Sequence, residues 1–285
     1  MSTSLEPGIS RSESADTHPP QRRGRLRASV RAVGKTLAIA DMEVRKLRHD
    51  PTELFTRAIQ PALWLLIFGQ VISRGHVVDT GDLPYLDFLV PGILAQSVLF
   101  IAIFNGISVI WERDLGIVHK FLASPTPRAS LVLGKALAGG VRAVTQAVVV
   151  ILLALLLSVR LRWDPLALTG VVLFVVLGAA VFSTFSLIIA CLVKTRERFM
   201  GIGQVLTMPL FFASNAIYPT AMMPGWLRVL SHLNPLTYQV DALRQLLLPG
   251  VGLARIGLEA DLGVLCAALV VLVTLSARLY PRIVT

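Results

Sequence analysis

The chain has 285 residues, 54% hydrophobic and 15% charged, and a net charge of +10, with a mean hydropathy of +0.70. Soluble domains carry about 25% charged residues, and here the apolar residues fall in long blocks, so composition speaks against a water-soluble globule and for one membrane domain with a polar arm. In a soluble chain this positive charge would point to nucleic acid first. In a membrane chain it fixes orientation in the bilayer, and no nucleic-acid partner is expected.

Residues 1–50 contain no apolar run suited to a signal peptide. Residues 1–29 read as a disordered, basic cytoplasmic arm rich in Arg, Ser and Pro. Over residues 30–50 a helical period appears, with Val33, Leu37, Ala40, Val44 and Leu47 on one stripe and Lys35, Arg45, Lys46 and Arg48 off it. Such a basic amphipathic helix suits the inner-leaflet interface; a solvated helix in a soluble tail is the alternative.

Residues 51–285 read as a membrane domain of six spans, near 54–72, 86–110, 134–159, 166–193, 201–218 and 258–277. A crossing takes about 20 apolar residues. The connections 73–85, 160–165 and 194–200 are short and polar, so neighbouring spans are antiparallel. Cys191 and Cys266 both fall inside apolar blocks, with no CxxC and no His spacing around them, and read as small buried hydrophobes.

Several spans carry polar stripes. In span two, Ser97, Asn105 and Ser108 share a face; in span three, Lys135, Gly139, Arg142 and Gln146 do; in span five, Gln204, Thr207, Phe211, Asn215 and Tyr218 do. The span-three stripe faces a partner, a dimer seam or a vestibule, or else snorkels to inner headgroups. The other two either line a translocation path or supply interhelical hydrogen bonds, worth about 0.6 kcal/mol each. Pro209 can kink span five. No span carries an acidic residue near its middle, which argues against an ion-driven carrier.

The loop after span two, WERDLGIVHKFLASPTPRASLVLGK, concentrates charge at Glu112, Arg113 and Asp114. Leu115–Leu122 can form a short amphipathic helix, and Pro125 and Pro127 turn the chain. The loop is either a docking element for a soluble partner or an ordinary solvated connection. Before the last span, prolines break an apolar stretch into two short helices, 224–233 and 235–248, with Asn234 as N-cap and Pro235 in the first turn. Each is too short to cross, which suits a re-entrant extracytoplasmic hairpin; Asp241 and Arg244, three apart, can pair on one face. A seventh span is the rival, and it would move the C-terminus outside.

With the N-terminus in the cytoplasm, Lys and Arg number ten in residues 1–51, four in 111–135, three in 194–200 and two after the last span, against six in the outer loops. That asymmetry obeys the positive-inside rule and puts both termini in the cytoplasm.

The pattern W-E-R-D-x-G followed by L-A-S-P-x-x-R-x-x-L-x-L-G-K-x-L resembles the type-2 permeases of ABC exporters, and N-P-L-T-Y-x-V-D-A-L-R at 234–244 resembles their daunorubicin-resistance-type branch. The resemblance runs from about residue 45 to the C-terminus. Where the family usually continues Gly-Thr-Leu-Glu, this chain has Gly116-Ile117-Val118-His119. The resemblance implies a six-span membrane subunit in a bacterial cytoplasmic membrane, paired with a second permease subunit, expected to be an identical copy, and with two ABC ATPase subunits. It implies coupling through Glu112, Arg113, Asp114 and Gly116, with Pro125, Arg128 and Lys135 shaping the return. It further implies a hairpin, carrying Asn234, Pro235, Tyr238, Asp241 and Arg244, that plugs the outer mouth. A path through Asn105, Gln204, Thr207, Phe211, Asn215 and Tyr218 would then carry a drug, a hydrophobic metabolite, a lipid or a glycolipid outward.

A phosphate-binding loop needs G-x-x-x-x-G-K-[ST]. Gly34-Lys35-Thr36 copies its tail, but Ser29 stands where the leading glycine belongs, and Gly134-Lys135-Ala136 fails at two positions. No metal-ligand spacing or nucleophile elbow is found either. The expectation is a transport permease, not an enzyme, with no cofactor of its own and Mg–ATP on the partner. The rivals are an ATPase-independent channel or carrier and a membrane scaffold.

Overall fold

The computed structural model describes residues 51–75, 78–81, 83–116, 128–193, 195–248 and 257–280. The arm 1–29, the amphipathic helix 30–50, Pro125 and most of the 115–122 run lie outside the described residues.

The described chain is all-helical. A first helical run comprises α1 (Pro51–Leu63), a π-helical stretch (Trp64–Gly69) and α2 (Gln70–Gly75). Then come α3 (Tyr85–Asn105), α4 (Ile107–Asp114), α5 (Arg128–Leu156), α6 (Pro165–Leu192) and α7 (Arg196–Phe212). A 3₁₀ turn (Thr220–Met222) leads to α8 (Gly225–Leu233), α9 (Pro235–Leu247) and α10 (Leu258–Leu279).

Four segments are long and apolar enough to cross a membrane: Tyr85–Asp114, Val132–Leu156, Pro165–Leu192 and Leu258–Leu279. The other two expected spans exist as helices of a different kind. The first is interrupted by its π stretch, where Trp64 packs edge-on against Phe211 of α7 with ring centroids 5.3 Å apart. The second, α7, has 17 residues, about 26 Å at 1.5 Å per residue, the short end of what a bilayer needs.

α7 also sits earlier in the chain than its hydropathy suggests. Residues 196–200 are helix rather than loop, because Thr195 caps the N-terminus by accepting from Arg198 N and Glu197 complements the first turn. It stops at Phe212, so Asn215 and Tyr218 are not on its face. The expected five-residue stripe is therefore not one stripe: Gln204 is exposed, Thr207 and Phe211 are buried, and Asn215 lies in the following turn. Span two is broken as well. Ser186 of α6 donates to Ile103 O, and the α-helical ladder resumes only after Gly106.

α6 is the centre of the bundle, packed by α3, α5, α9 and α10. Within its most apolar window 72% is buried, against 11% for α10, so α10 turns most of its surface outward. The α6–α9 contact depends on Gly178, where a Cβ would run into the Gln239 carboxamide. A large core of Leu, Val, Ile and Phe runs through α3, α5, α6 and α9, and a smaller one of Val109, Ile110, Val132, Leu187, Phe199 and Tyr280 underlies one end of the bundle.

Candidate functional site

The small core supports a cluster of charges where α4 ends and α5 and α7 begin. α4 terminates because Gly116 takes φ +69° and returns its N–H to Arg113 O at 2.9 Å, a left-handed stop that favours glycine. That stop leaves Trp111, Glu112, Arg113 and Asp114 on the last turn. Glu112 pairs with Lys135 of α5. Asp114 accepts from Arg196 of α7 at 2.7 Å and from its neighbour Arg113 at 3.1 Å. Arg113 reaches Val193 O, just past α6, at 3.5 Å. The Arg196 guanidinium lies 3.7 Å over the Trp111 ring.

Three helices thus meet through one ionic cluster, here called the charged end. Its side chains keep between 17% and 36% of their surface exposed, so each pair is partly screened by water and contributes little on its own. The cluster brings together the expected Glu112, Arg113, Asp114, Gly116 and Lys135. Arg128 begins α5, and its side chain lies outside the described residues. Sequence reasoning missed Arg196 and the stacking on Trp111, and took Arg196 for a loop charge. The cap signal Thr195 followed by Glu197 could have placed it on a helix start.

One turn deeper, Asn105 of α3 joins this end to α5. Its amide donates to Lys135 O at 3.5 Å and accepts from Arg142 at 3.4 Å. A Cβ on Gly139 would touch Asn105 and Ser183. The Lys135, Gly139, Arg142 face therefore packs inside the subunit rather than snorkelling. Ser97 and Thr207 donate to carbonyls of their own helices, Ile93 and Gly203, and Ser108 of α4 donates to Asn105 O at the end of α3.

The far end of the bundle is tied by buried polar groups instead. Asn234 caps α9 by accepting from Leu236 N, and its amide also donates to Leu210 O at 2.6 Å and Ala213 O at 3.1 Å, satisfying carbonyls at the end of α7. Pro235 sits in the first turn of α9 as expected. Tyr238 donates to His232 O, Tyr218 to Phe212 O and Tyr85 to Ile217 O. Arg244 does not spend its guanidinium on Asp241 in the expected manner: Nη2 donates to Asn215 O at 2.9 Å and Phe88 O at 3.4 Å, and the plane stacks 3.8 Å over the Phe88 ring. Gln245 donates to both Asp241 and Asp261. Asp261, fully buried, was not anticipated, because it lies at the edge of an apolar block rather than in its middle.

Comparison with known proteins places these features. The family model for the ABC-2 type transporter matches residues 35–248, a segment that includes both the charged end and α9. The chain belongs to the ABC-2 type transporter family. Among its relatives, the protein ycf38 of Cyanophora paradoxa is 29% identical over 70% of this chain and 69% of its own length. The daunorubicin resistance ABC transporter permease protein DrrB1 of Streptomyces coeruleorubidus is 26% identical over 90% of this chain and 89% of its own length. The inner membrane transport permease YadH of Escherichia coli K12 is 26% identical over 65% of this chain and 72% of its own length. As an ABC-2 permease the chain is an integral, multi-pass membrane subunit of the kind that pairs with ABC ATPase subunits.

Proposed function

We propose that this ABC-2 permease is the membrane half of an ATP-driven exporter. Two copies would work with two ATPase subunits that bind Mg–ATP, in a bacterial cytoplasmic membrane with both termini inside. The observation that carries the reading is the charged end. Glu112, Arg113 and Asp114 lie on the turn that bears the W-E-R-D-x-G motif, and they link α4 to α5 and α7 through pairs that stay partly exposed. A partner pushing on this turn would move three helices together.

In this reading the first helical run and α7 complete a six-span topology with the four long helices. Their outward apolar faces, Ile59, Leu63 and Ile67 on one and Val205, Met208 and Phe212 on the other, are exposed in the single subunit and suit a second copy. α8 and α9 would form the re-entrant hairpin that closes the outer mouth. The exposed apolar groove lined by Phe182, Phe185, Leu210, Val264 and Leu272 suits a hydrophobic or amphipathic cargo, a drug or metabolite first and a lipid or glycolipid second.

Replacing Glu112 and Arg113 together by Ala tests the coupling assignment. Amphipathic-dye export by membrane vesicles holding both subunits should fall to the level without ATP, while the variant still inserts in the membrane. Unchanged export would remove these residues from coupling.

A further inference from the structure

The connection between α5 and α6 carries two arginines, Arg160 and Arg162, that coupling at the charged end leaves unused. Its backbone is fixed. Ser158 takes φ +57° as α5 ends, and Val159 N–H returns to Ala154 O at 3.0 Å. Val159 is buried, Leu161 packs on the main core, and Arg162 N–H donates to Leu247 O at 2.8 Å. With those anchors set, Arg160, Arg162 and Trp163 are left exposed. Trp163 stands just before the span that begins at Pro165, the level at which tryptophan settles between hydrocarbon and headgroups.

Trp163 also closes one end of a groove of about 320 Å³ between α5 and α6, lined by apolar side chains throughout. On α5 the groove runs from Val144 to Leu155, about 16 Å at 1.5 Å per residue. That is the depth of one leaflet, half of a hydrocarbon layer about 30 Å thick. Val148 and Leu152 on one wall and Val172 on the other are about half exposed, so the groove opens sideways. The exposed charges at its Trp163 end are two guanidiniums and one carboxylate. Arg162 pairs with Asp164 at 2.8 Å, and Arg160 forms no ion pair among the described residues. The other carboxylate within electrostatic reach of Arg160, Asp87 of α3, is buried. An apolar channel one leaflet deep with an excess of exposed positive charge at the headgroup level matches an amphiphile with an anionic head. A second copy fits poorly. Both copies face the same way in a bilayer, so a two-fold contact here would set these arginines against their own counterparts.

We infer that the α5–α6 groove binds one anionic phospholipid, with an acyl chain along the groove and the phosphate at Arg160 and Arg162. The site needs only that the chain lies in a membrane; it depends neither on an ATPase nor on the cargo.

Tryptophan quenching in nanodiscs tests it. The full chain is placed in phosphatidylcholine discs holding a small, equal share of either brominated phosphatidylglycerol or brominated phosphatidylcholine. The Trp163 signal is the difference between the unaltered protein and Trp163→Phe. Phosphatidylglycerol should be preferred at Trp163 by about tenfold, the weight of one hydrogen bond to a charged group. Arg160→Gln with Arg162→Gln should bring the two lipids level. Val148→Phe with Val172→Phe fills the groove at half-exposed positions and leaves both arginines in place. It should also remove the preference, which attraction to the headgroup alone would not predict. Millimolar inorganic phosphate should not relieve the quenching. Equal quenching by the two lipids in the unaltered protein, a preference that survives the Gln pair or the Phe pair, or competition by phosphate would each overturn the assignment.

Discussion

The two ends of the bundle hold helices together by opposite means. At the charged end, Asp114–Arg196 and Glu112–Lys135 join α4 to α7 and α5 with side chains that retain 17% to 36% exposure. At the far end, Arg244, Asn234 and Gln239 are 5% exposed or less and bond chiefly to backbone carbonyls of other segments. Water can replace a bond at the first end but not at the second. Exposed ion pairs break and re-form at little cost, whereas a buried group stripped of its partner keeps the full desolvation penalty. Contacts at the charged end can therefore exchange with water at little cost, whereas those at the far end are costly to break.

Substitutions should separate the ends by size of effect. The largest belongs to Arg244→Met, which strands the Asn215 and Phe88 carbonyls and removes the ring stack. A loss of about 3 kcal/mol should appear as a strongly lowered midpoint in thermal unfolding followed by fluorescence-detected size exclusion. Gly178→Leu comes next, since its side chain must displace Gln239 from α6; overpacking of this kind costs about 1–3 kcal/mol. Asn234→Ala removes a helix cap and two bonds to the end of α7, for about 1–2 kcal/mol. At the charged end, Asp114→Ala should leave the unfolding midpoint nearly unchanged, yet sharply reduce the ATPase stimulation expected when the permease joins its partner. If Asp114→Ala proved as destabilising as Arg244→Met, the contrast between the ends would be lost.

The smallest effect sharpens the contrast from another side. Reversing one pair, Asp114→Arg with Arg196→Asp, should leave thermal stability nearly unchanged and restore part of the stimulation lost by either single variant. Raising salt to 1 M, where the screening length is about 3 Å, should weaken stimulation without lowering the unfolding midpoint.

Much of this was legible in the residues themselves. The apolar blocks of α3, α5, α6 and α10 announced themselves by length, and Asn234-Pro235 announced the start of α9, because caps and prolines act locally. What stayed hidden depends on partners distant in the chain. Ser186 breaks span two from α6, 83 residues away. α7 ends early, and Asn234 collects its last carbonyls from 21 and 24 residues on. Arg196 read as one more positive loop residue until Asp114 and Trp111 stood beside it. Arg244 looked ready for Asp241 at helical spacing, but the nearby carbonyls and the Phe88 ring, set there by α3, give its planar donors a better fit.

On the proposed reading, force enters through the charged end from a separate ATPase. It is tested most directly by reconstituting the chain in sealed vesicles with and without the copurified ATPase and following accumulation of amphipathic dyes against a gradient. Uphill movement should require both the ATPase and ATP, and should be abolished by Glu112→Ala with Arg113→Ala. Uphill movement by the chain alone would contradict it.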